Sequence, residues 1–248
     1  MELSIIIPAY NEALRLPSTL EKVFMHLRKS YQGNFEVVVA DDGSGDETAA
    51  VVRNYMEHFP ELRIMAFSQN RGRGAVVRDA VLASCADYIL EMDADGSVDP
   101  EAIPRFLEYL KDHPEADFLV GSRNAAKSRI LAPQPALRIF LGNGFLFLCS
   151  IFFGWRMKDL VNGFKMFRLD AAHDIFRYQY IDHFFAEAEI VQVGKYRGWK
   201  IKDLPVLWSD NRDSKVRPFR EIRRSFKGIF KILWWKWSGK YTKNLSKR

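Results

Sequence analysis

One unit recurs through the first half of the chain, and that recurrence constrains the fold more than any other feature. A short apolar run is followed each time by a segment whose apolar residues fall at helical spacing. Leu3–Ile7 precedes a pattern at Leu16, Leu20, Val23, Phe24 and Leu27. Glu36–Ala40 precedes Thr48–Phe59, Arg63–Phe67 precedes Ala75–Ser84, and Tyr88–Met92 precedes Pro100–Leu110. Asp117–Val120 closes the series. Strands that alternate with helices predict an α/β fold with a mostly parallel sheet, because a parallel crossover takes about a helix of chain to make.

In such a sheet, ligands gather beyond the carboxyl ends of the strands. The strand ends here read Pro8-Ala9-Tyr10-Asn11-Glu12, Asp41-Asp42-Gly43-Ser44, Asn70-Arg71-Gly72-Arg73-Gly74, Asp93-Ala94-Asp95-Gly96 and Gly121-Ser122-Arg123. All five are polar, glycine-rich or acidic, as the lining of one crevice would be. Asp93 and Asp95, two residues apart at a strand end, can share a hard cation, Mg²⁺ or Mn²⁺, through side-chain oxygens. A pyrophosphate would complete the shell, and the cation would stabilise charge on a departing diphosphate. Taken alone, the same pair fits a solvated turn better than a metal site. An EF-hand is excluded, since its glycine position is not Gly96 and its twelfth residue is Pro104. Asp41 or Asp42 can accept from a nucleobase N–H; an equally good local reading is a tight turn at Gly43 with Asp46 or Ser44 capping the next helix. Arg71–Gly74 is not a dinucleotide fingerprint, because Val77 stands at its third glycine position.

With 48% hydrophobic residues the chain of 248 can bury a large core. Its net charge of +6 is concentrated at one end: residues 217–248 carry 11 Lys and Arg against the single acid Glu221. A basic end points to an anionic partner, either lipid or nucleic acid. From Pro218 the apolar residues Phe219, Ile222, Phe226, Ile229, Phe230, Leu233, Trp234 and Trp237 recur in steps of three and four, which predicts an amphipathic helix. Trp234, Trp235 and Trp237 suit the headgroup level of a bilayer, and the basic residues suit anionic lipid. The uncharged run Ile139–Trp155 is interrupted by Gly142, Asn143, Gly144 and Gly154, so it reads as a buried or interface-lying helix rather than a span. Cys85 and Cys149 have no metal or redox spacing, and the N-terminus shows no secretory pattern.

The five strand-end motifs, in this order, resemble family 2 glycosyltransferases of the GT-A fold. The later elements Asp159, Asn162-Gly163-Phe164-Lys165-Met166-Phe167, Glu187 and Glu189, Leu204-Pro205-Val206 with Trp208, and Ser214-Lys215 narrow the resemblance. They look like the dolichyl-phosphate mannose and glucose synthases, over roughly Leu3 to Phe219. The resemblance implies a GT-A catalytic domain over 1–216 and a membrane-associating helix and tail over 217–248. It implies a nucleotide pocket at Pro8, Tyr10, Glu12, Asp41 or Asp42, Arg73 and Asp93, with metal and diphosphate on Asp93 and Asp95. Arg123, Arg138 and Lys215 would sit near the phosphates of donor or acceptor. Asp159, Asn162 and Lys165 are further candidates. Two positions depart from the family pattern. Ser97 stands where a Gln or Asn often adds a metal ligand, and Asn162 stands where Cys or Ser often precedes the GFK element.

The implied reaction is the inverting, metal-dependent transfer of a hexose from UDP-hexose or GDP-mannose to a polyprenyl phosphate, at the cytoplasmic face of a membrane. A phosphate acceptor is already an anion and needs cations to place it, such as Lys127, Arg129, Arg138, Arg212, Lys215 or Arg217, rather than a base. A saccharide hydroxyl would need a base, for which Glu187 and Glu189 are the candidates, although both fit helix-surface acids too. A catalytically silent nucleotide-binding protein at the membrane surface is the third reading. No nucleic-acid-binding motif appears, so nucleic acid is not expected as the partner.

Overall fold

The computed structural model describes residues 1–125, 128–132, 144, 147, 149–154, 159, 162–209 and 218–242, the side chains of 132 and 218–225 excepted. The strands are β1 (Leu3–Ala9), β2 (Phe35–Asp41), β3 (Leu62–Ala66), β4 (Tyr88–Met92), β5 (Phe118–Ser122), β6 (Arg129–Ala132), β7 (Phe164–Arg168), β8 (Ile201–Pro205) and β9 (Leu207–Ser209). The helices are α1 (Leu16–Ser30), α2 (Thr48–Met56), α3 (Arg73–Ala83), α4 (Ala102–Asp112), α5 (Leu169–Arg177), α6 (Ala186–Tyr196) and α7 (Pro218–Trp237).

Seven strands form one sheet in the order β3-β2-β1-β4-β7-β5-β8. Every pairing in it is parallel except those of β7, which runs antiparallel to both β4 and β5. The strand order reverses between β1 and β4, so the crevice expected of such a sheet opens where Ala9 and Met92 end their strands. β7 enters this edge at its start, which brings Asn162 and Gly163 beside the end of β4.

Side-chain alternation divides the core in two. Leu3, Ile5 and Ile7 face α1, α2 and α4, where Leu16, Leu20, Val23, Phe24 and Leu27 form the buried stripe of α1. Phe24 stacks on Phe59 at 4.2 Å. Ile6 and Ile89 face α3, α5, α6 and part of α7. There Phe167 stacks on Phe118 at 4.1 Å. Each such apolar side chain contributes about 1.5–3 kcal/mol by burial.

The expected strand over Lys200–Leu207 divides at Val206. Pro205 has no N–H to continue a ladder, so β8 ends there and β9 pairs instead with β6 in a small second sheet. α7 lies on the body of the protein. Ile229, Ile232 and the following Tyr241 are buried in the same core as α6. Gly228 lets the helix meet Phe185, because a Cβ there would overlap the phenyl ring. The outer face keeps Phe226, Phe230, Trp234 and Trp237 exposed, with Lys227, Lys231 and Lys236 among them. Trp235 turns inward instead, edge-on to Tyr180 at 5.5 Å. Among the described residues, no helix is long and apolar enough to cross a membrane. Most of Ile139–Trp155 lies outside the described residues.

Candidate active site

The loops after β1 and β2 are laced together. Asn11 N–H donates to Ser44 Oγ at 2.9 Å, Asn11 Oδ1 accepts from Gly45 N–H at 2.8 Å, and Glu12 N–H donates to Thr48 Oγ1 at 2.8 Å. Asn11 has φ 56°, a left-handed conformation that asparagine tolerates better than most residues. The lacing leaves the Tyr10 ring 45% exposed at the edge, with Pro8 buried behind it. Glu12 is ion-paired with Arg15, whose Nε donates to it at 2.6 Å.

Asp41 and Asp42 both turn into the protein. Asp41 Oδ1 accepts from Ser44 N–H at 3.2 Å and from the Ser44 hydroxyl. Asp42 accepts from Arg71 N–H at 2.6 Å and Gly72 N–H at 2.9 Å, fastening the start of α3. Burial pushes the Asp42 carboxyl up, against the pull of those two amides.

The end of β4 carries the densest charge. Glu91 and Asp93 point to the α3 face of the sheet. The Arg73 guanidinium donates to Glu91 at 2.6 Å, to Asp93 at 2.7 Å and to Glu187 of α6. Glu187 also accepts from Lys165 Nζ, which in turn reaches the Asn162 carbonyl at 2.5 Å. Lys165 is fully buried, and burial pushes its amine down to about 8. The β4–β7 register pairs Glu91 with Lys165, which places these charges on one face. The Arg73 guanidinium, a candidate for the nucleotide pocket, is thus shared among three carboxylates.

Asp95 lies one step further along. Its Oδ1 accepts from Ser97 N–H at 2.9 Å. Burial raises its carboxyl, and the neighbouring charge of Asp93 raises it further. Asp93 itself is paired with Arg73, so the two carboxylates lie close in sequence with different partners. Glu91, Asp93 and Glu187 share Arg73, Lys165 joins Glu187, and Asp95 feels the charges of both Asp93 and Arg15. Among the described residues no three His, Cys, Asp or Glu side chains make a metal shell by themselves. The aspartates would thus supply part of one, and a bound diphosphate the remainder.

Beyond β5, Arg123 is held by the buried Asp159, with Nε at 2.6 Å and Nη2 at 2.9 Å, and it lies over the Trp208 ring at 5.3 Å. Asn162 Nδ2 donates to Gly121 O at 2.7 Å, tying the entry of β7 to the end of β5. Phe164 meets Phe106 edge-on at 5.0 Å. Arg138 and Lys215, together with Lys127, Arg212 and Arg217, lie outside the described residues.

Glu187 and Glu189 are not helix-surface acids: both are buried on α6. Glu189 faces away from Glu187, accepting from Tyr180 N–H at 3.0 Å, Ile181 N–H at 2.7 Å and Tyr241 Oη–H at 2.8 Å. Burial pushes its carboxyl up to about 7. Sequence reasoning missed Glu91, although a glutamate inside the apolar strand Tyr88–Met92 was a visible signal. It also missed Arg15, for which no comparable signal exists.

The sequence matches the profile of Glycosyl transferase family 2 over residues 4–176. A dolichyl-phosphate beta-glucosyltransferase from Dictyostelium discoideum is 32% identical over 93% of this chain and 73% of that protein. The Mus musculus dolichyl-phosphate beta-glucosyltransferase is 31% identical over 88% of this chain and 70% of its own length. Among solved structures, a glucosyl-3-phosphoglycerate synthase from Mycobacterium tuberculosis, in complex with Mn²⁺, UDP and glucosyl-3-phosphoglycerate, superposes with a TM-score of 0.66 at 14% identity. That superposition covers 95% of this chain and 79% of that one. A mannosyl-3-phosphoglycerate synthase from Rubrobacter xylanophilus gives 0.64 at 13% identity, covering 98% and 77%. At such identities the likeness shows the fold alone, which is GT-A.

Proposed function

The chain belongs to glycosyl transferase family 2 and is a glycosyltransferase, and from that footing we propose that it transfers glucose from UDP-glucose to a polyprenyl phosphate, with inversion, at the cytoplasmic face of a membrane. The observation that carries this reading is the charge cluster at the end of β4. Asp93 and Asp95 follow β4 at the switch point of the sheet, and of the two acids on α6 Glu187 is held by Arg73 and Lys165 while Glu189 accepts from two backbone amides and the Tyr241 hydroxyl.

Asp93 and Asp95 would hold a Mg²⁺ or Mn²⁺ ion together with the donor diphosphate, and the cation when bound stabilises negative charge on that leaving group. Tyr10 would form the wall on which the nucleotide rests, with Asp41 and Asp42 fixing the loops behind it. The lipid phosphate oxygen bonds to the anomeric carbon from the face opposite the nucleotide. The old carbon–oxygen bond breaks with its electron pair leaving on UDP, and no proton has to be removed. Glu187 could take a hydroxyl proton only by abandoning Arg73 and Lys165, which disfavours a saccharide acceptor. The relatives named as forming β-linked products support inversion, because UDP-glucose carries its sugar in the α configuration. Residues 217–248 serve as the membrane-associating part: the exposed Phe226, Phe230, Trp234 and Trp237 enter the headgroup level, and the lysines between them meet anionic lipid.

Incubating the full chain with a panel of UDP- and GDP-hexoses, a divalent cation and polyprenyl phosphate tests the proposal. Glucose appearing on the lipid from UDP-glucose is the expected result. Transfer only to saccharides, or none from any donor, would contradict it.

A further inference from the structure

We propose that Gly163 and Arg73 are positioning residues for Asp93, forming a two-sided clamp that fixes the direction in which its carboxylate meets a cation. This deepens the functional reading above and rests on its assignment of Asp93 to the metal.

Gly163 supplies the first side. It lies one step beyond the last registered β4–β7 pair, Met92 with Phe164. A Cβ on Gly163 would fall inside the Asp93 carboxyl group, overlapping Cγ and both oxygens. Gly163 is not among the glycines with positive φ, so its backbone would accept alanine without strain. Only the room taken by Asp93 demands glycine here.

Arg73 supplies the second side through its 2.7 Å contact with Asp93 Oδ1. It is a rigid jaw. Glu91 and Glu187 hold the rest of its fork, and Lys165 holds Glu187. Its helix is pinned at the first turn, where Gly74 N–H donates to Asp182 O at 2.8 Å. Turning Arg73 toward a diphosphate would strip buried Glu91 of its partner and leave Glu187 to Lys165 alone, so it acts through Asp93. The remaining side of Asp93 opens to the crevice, leaving the side chain 40% exposed. A ligand carboxylate held in this way loses little freedom when it binds an ion, and partners of that kind are worth about 10–100-fold in metal affinity.

The test is calorimetry of UDP binding with and without Mn²⁺ on the full chain, comparing the wild type with Gly163→Ala. The clamp predicts that the Mn²⁺-dependent gain in UDP affinity falls by at least about tenfold, with metal-free UDP affinity unchanged. Arg73→Lys keeps the charge but loses the fork, so it should show the same selective loss and serves where Gly163→Ala does not fold. Equal loss with and without metal would indicate general damage to the pocket and overturn the clamp. So would a full Mn²⁺ gain in both variants. If the wild type itself takes up UDP with no help from Mn²⁺, the assignment of Asp93 and Asp95 fails and the clamp falls with it.

Discussion

Lys165 of β7 and Glu187 of α6 form an ion pair with no exposure to solvent on the lysine side and almost none on the glutamate side. The pair closes the base of the active-site edge. It also decides what Glu187 can do, because a carboxylate shared between a buried lysine and Arg73 is a poor proton acceptor.

Glu187→Gln should therefore act on stability before chemistry. Removing one partner of a buried pair costs about 3–5 kcal/mol, since the charges left behind stay desolvated. Urea unfolding should show a loss of that order. At low temperature the folded variant should still transfer sugar to the lipid phosphate. A general base at this position would instead be worth about 10²–10⁴ in rate. A collapse of that size, with the fold intact, would favour the hydroxyl-acceptor reading.

Glu189 makes the pH prediction. Burial raises its folded carboxyl to about 7 from the ordinary 4.5. A raised carboxyl favours the folded state while protonated, so its contribution is full below 4.5 and is lost as pH rises through about 7. The gap is on the order of 3 kcal/mol. Glu189→Gln keeps an acceptor for Tyr180 and Ile181 N–H without the charge. Its thermal midpoint should gain on the wild type as pH goes from acid to neutral. Parallel midpoints across that range would refute the assignment.

The first half of the fold was legible because each element there needs only local information. The stripe on α1 and the apolar runs of β1, β2, β4 and β5 all show their period in the sequence. The second half was not legible in the same way. β6 is four residues long and exists only by pairing with β9, and β7 reads as a strand but carries no mark of its antiparallel direction. α5 follows β7 directly, without a visible break. At the site, Asp93 and Asp95 became candidates through the ordered set of strand-end motifs, since their spacing alone fits a solvated turn. The partners of Arg73 could not be found, because Glu187 lies more than a hundred residues away along the chain and meets it only through the packing of α6 on α3.

The outer face of α7 gives a prediction about membranes. Lys227, Lys231 and Lys236 are exposed beside Phe230 and Trp234. Each lysine near an anionic surface is worth about 1 kcal/mol. Changing all three to Gln should lower partition onto phosphatidylserine vesicles by about two orders of magnitude at low salt, with a smaller loss at high salt. Unchanged sedimentation with vesicles would place the membrane contact elsewhere.

On the proposed mechanism, neighbouring aspartates at the end of β4 let a nucleotide leave while a lipid phosphate attacks. Its most direct test is the rate of glucose transfer from UDP-glucose to polyprenyl phosphate by wild type and Asp95→Asn, each with Mn²⁺ and with a chelator. Transfer should require the cation in the wild type and be lost in the variant at unchanged thermal stability. Equal rates in all four reactions would contradict the account.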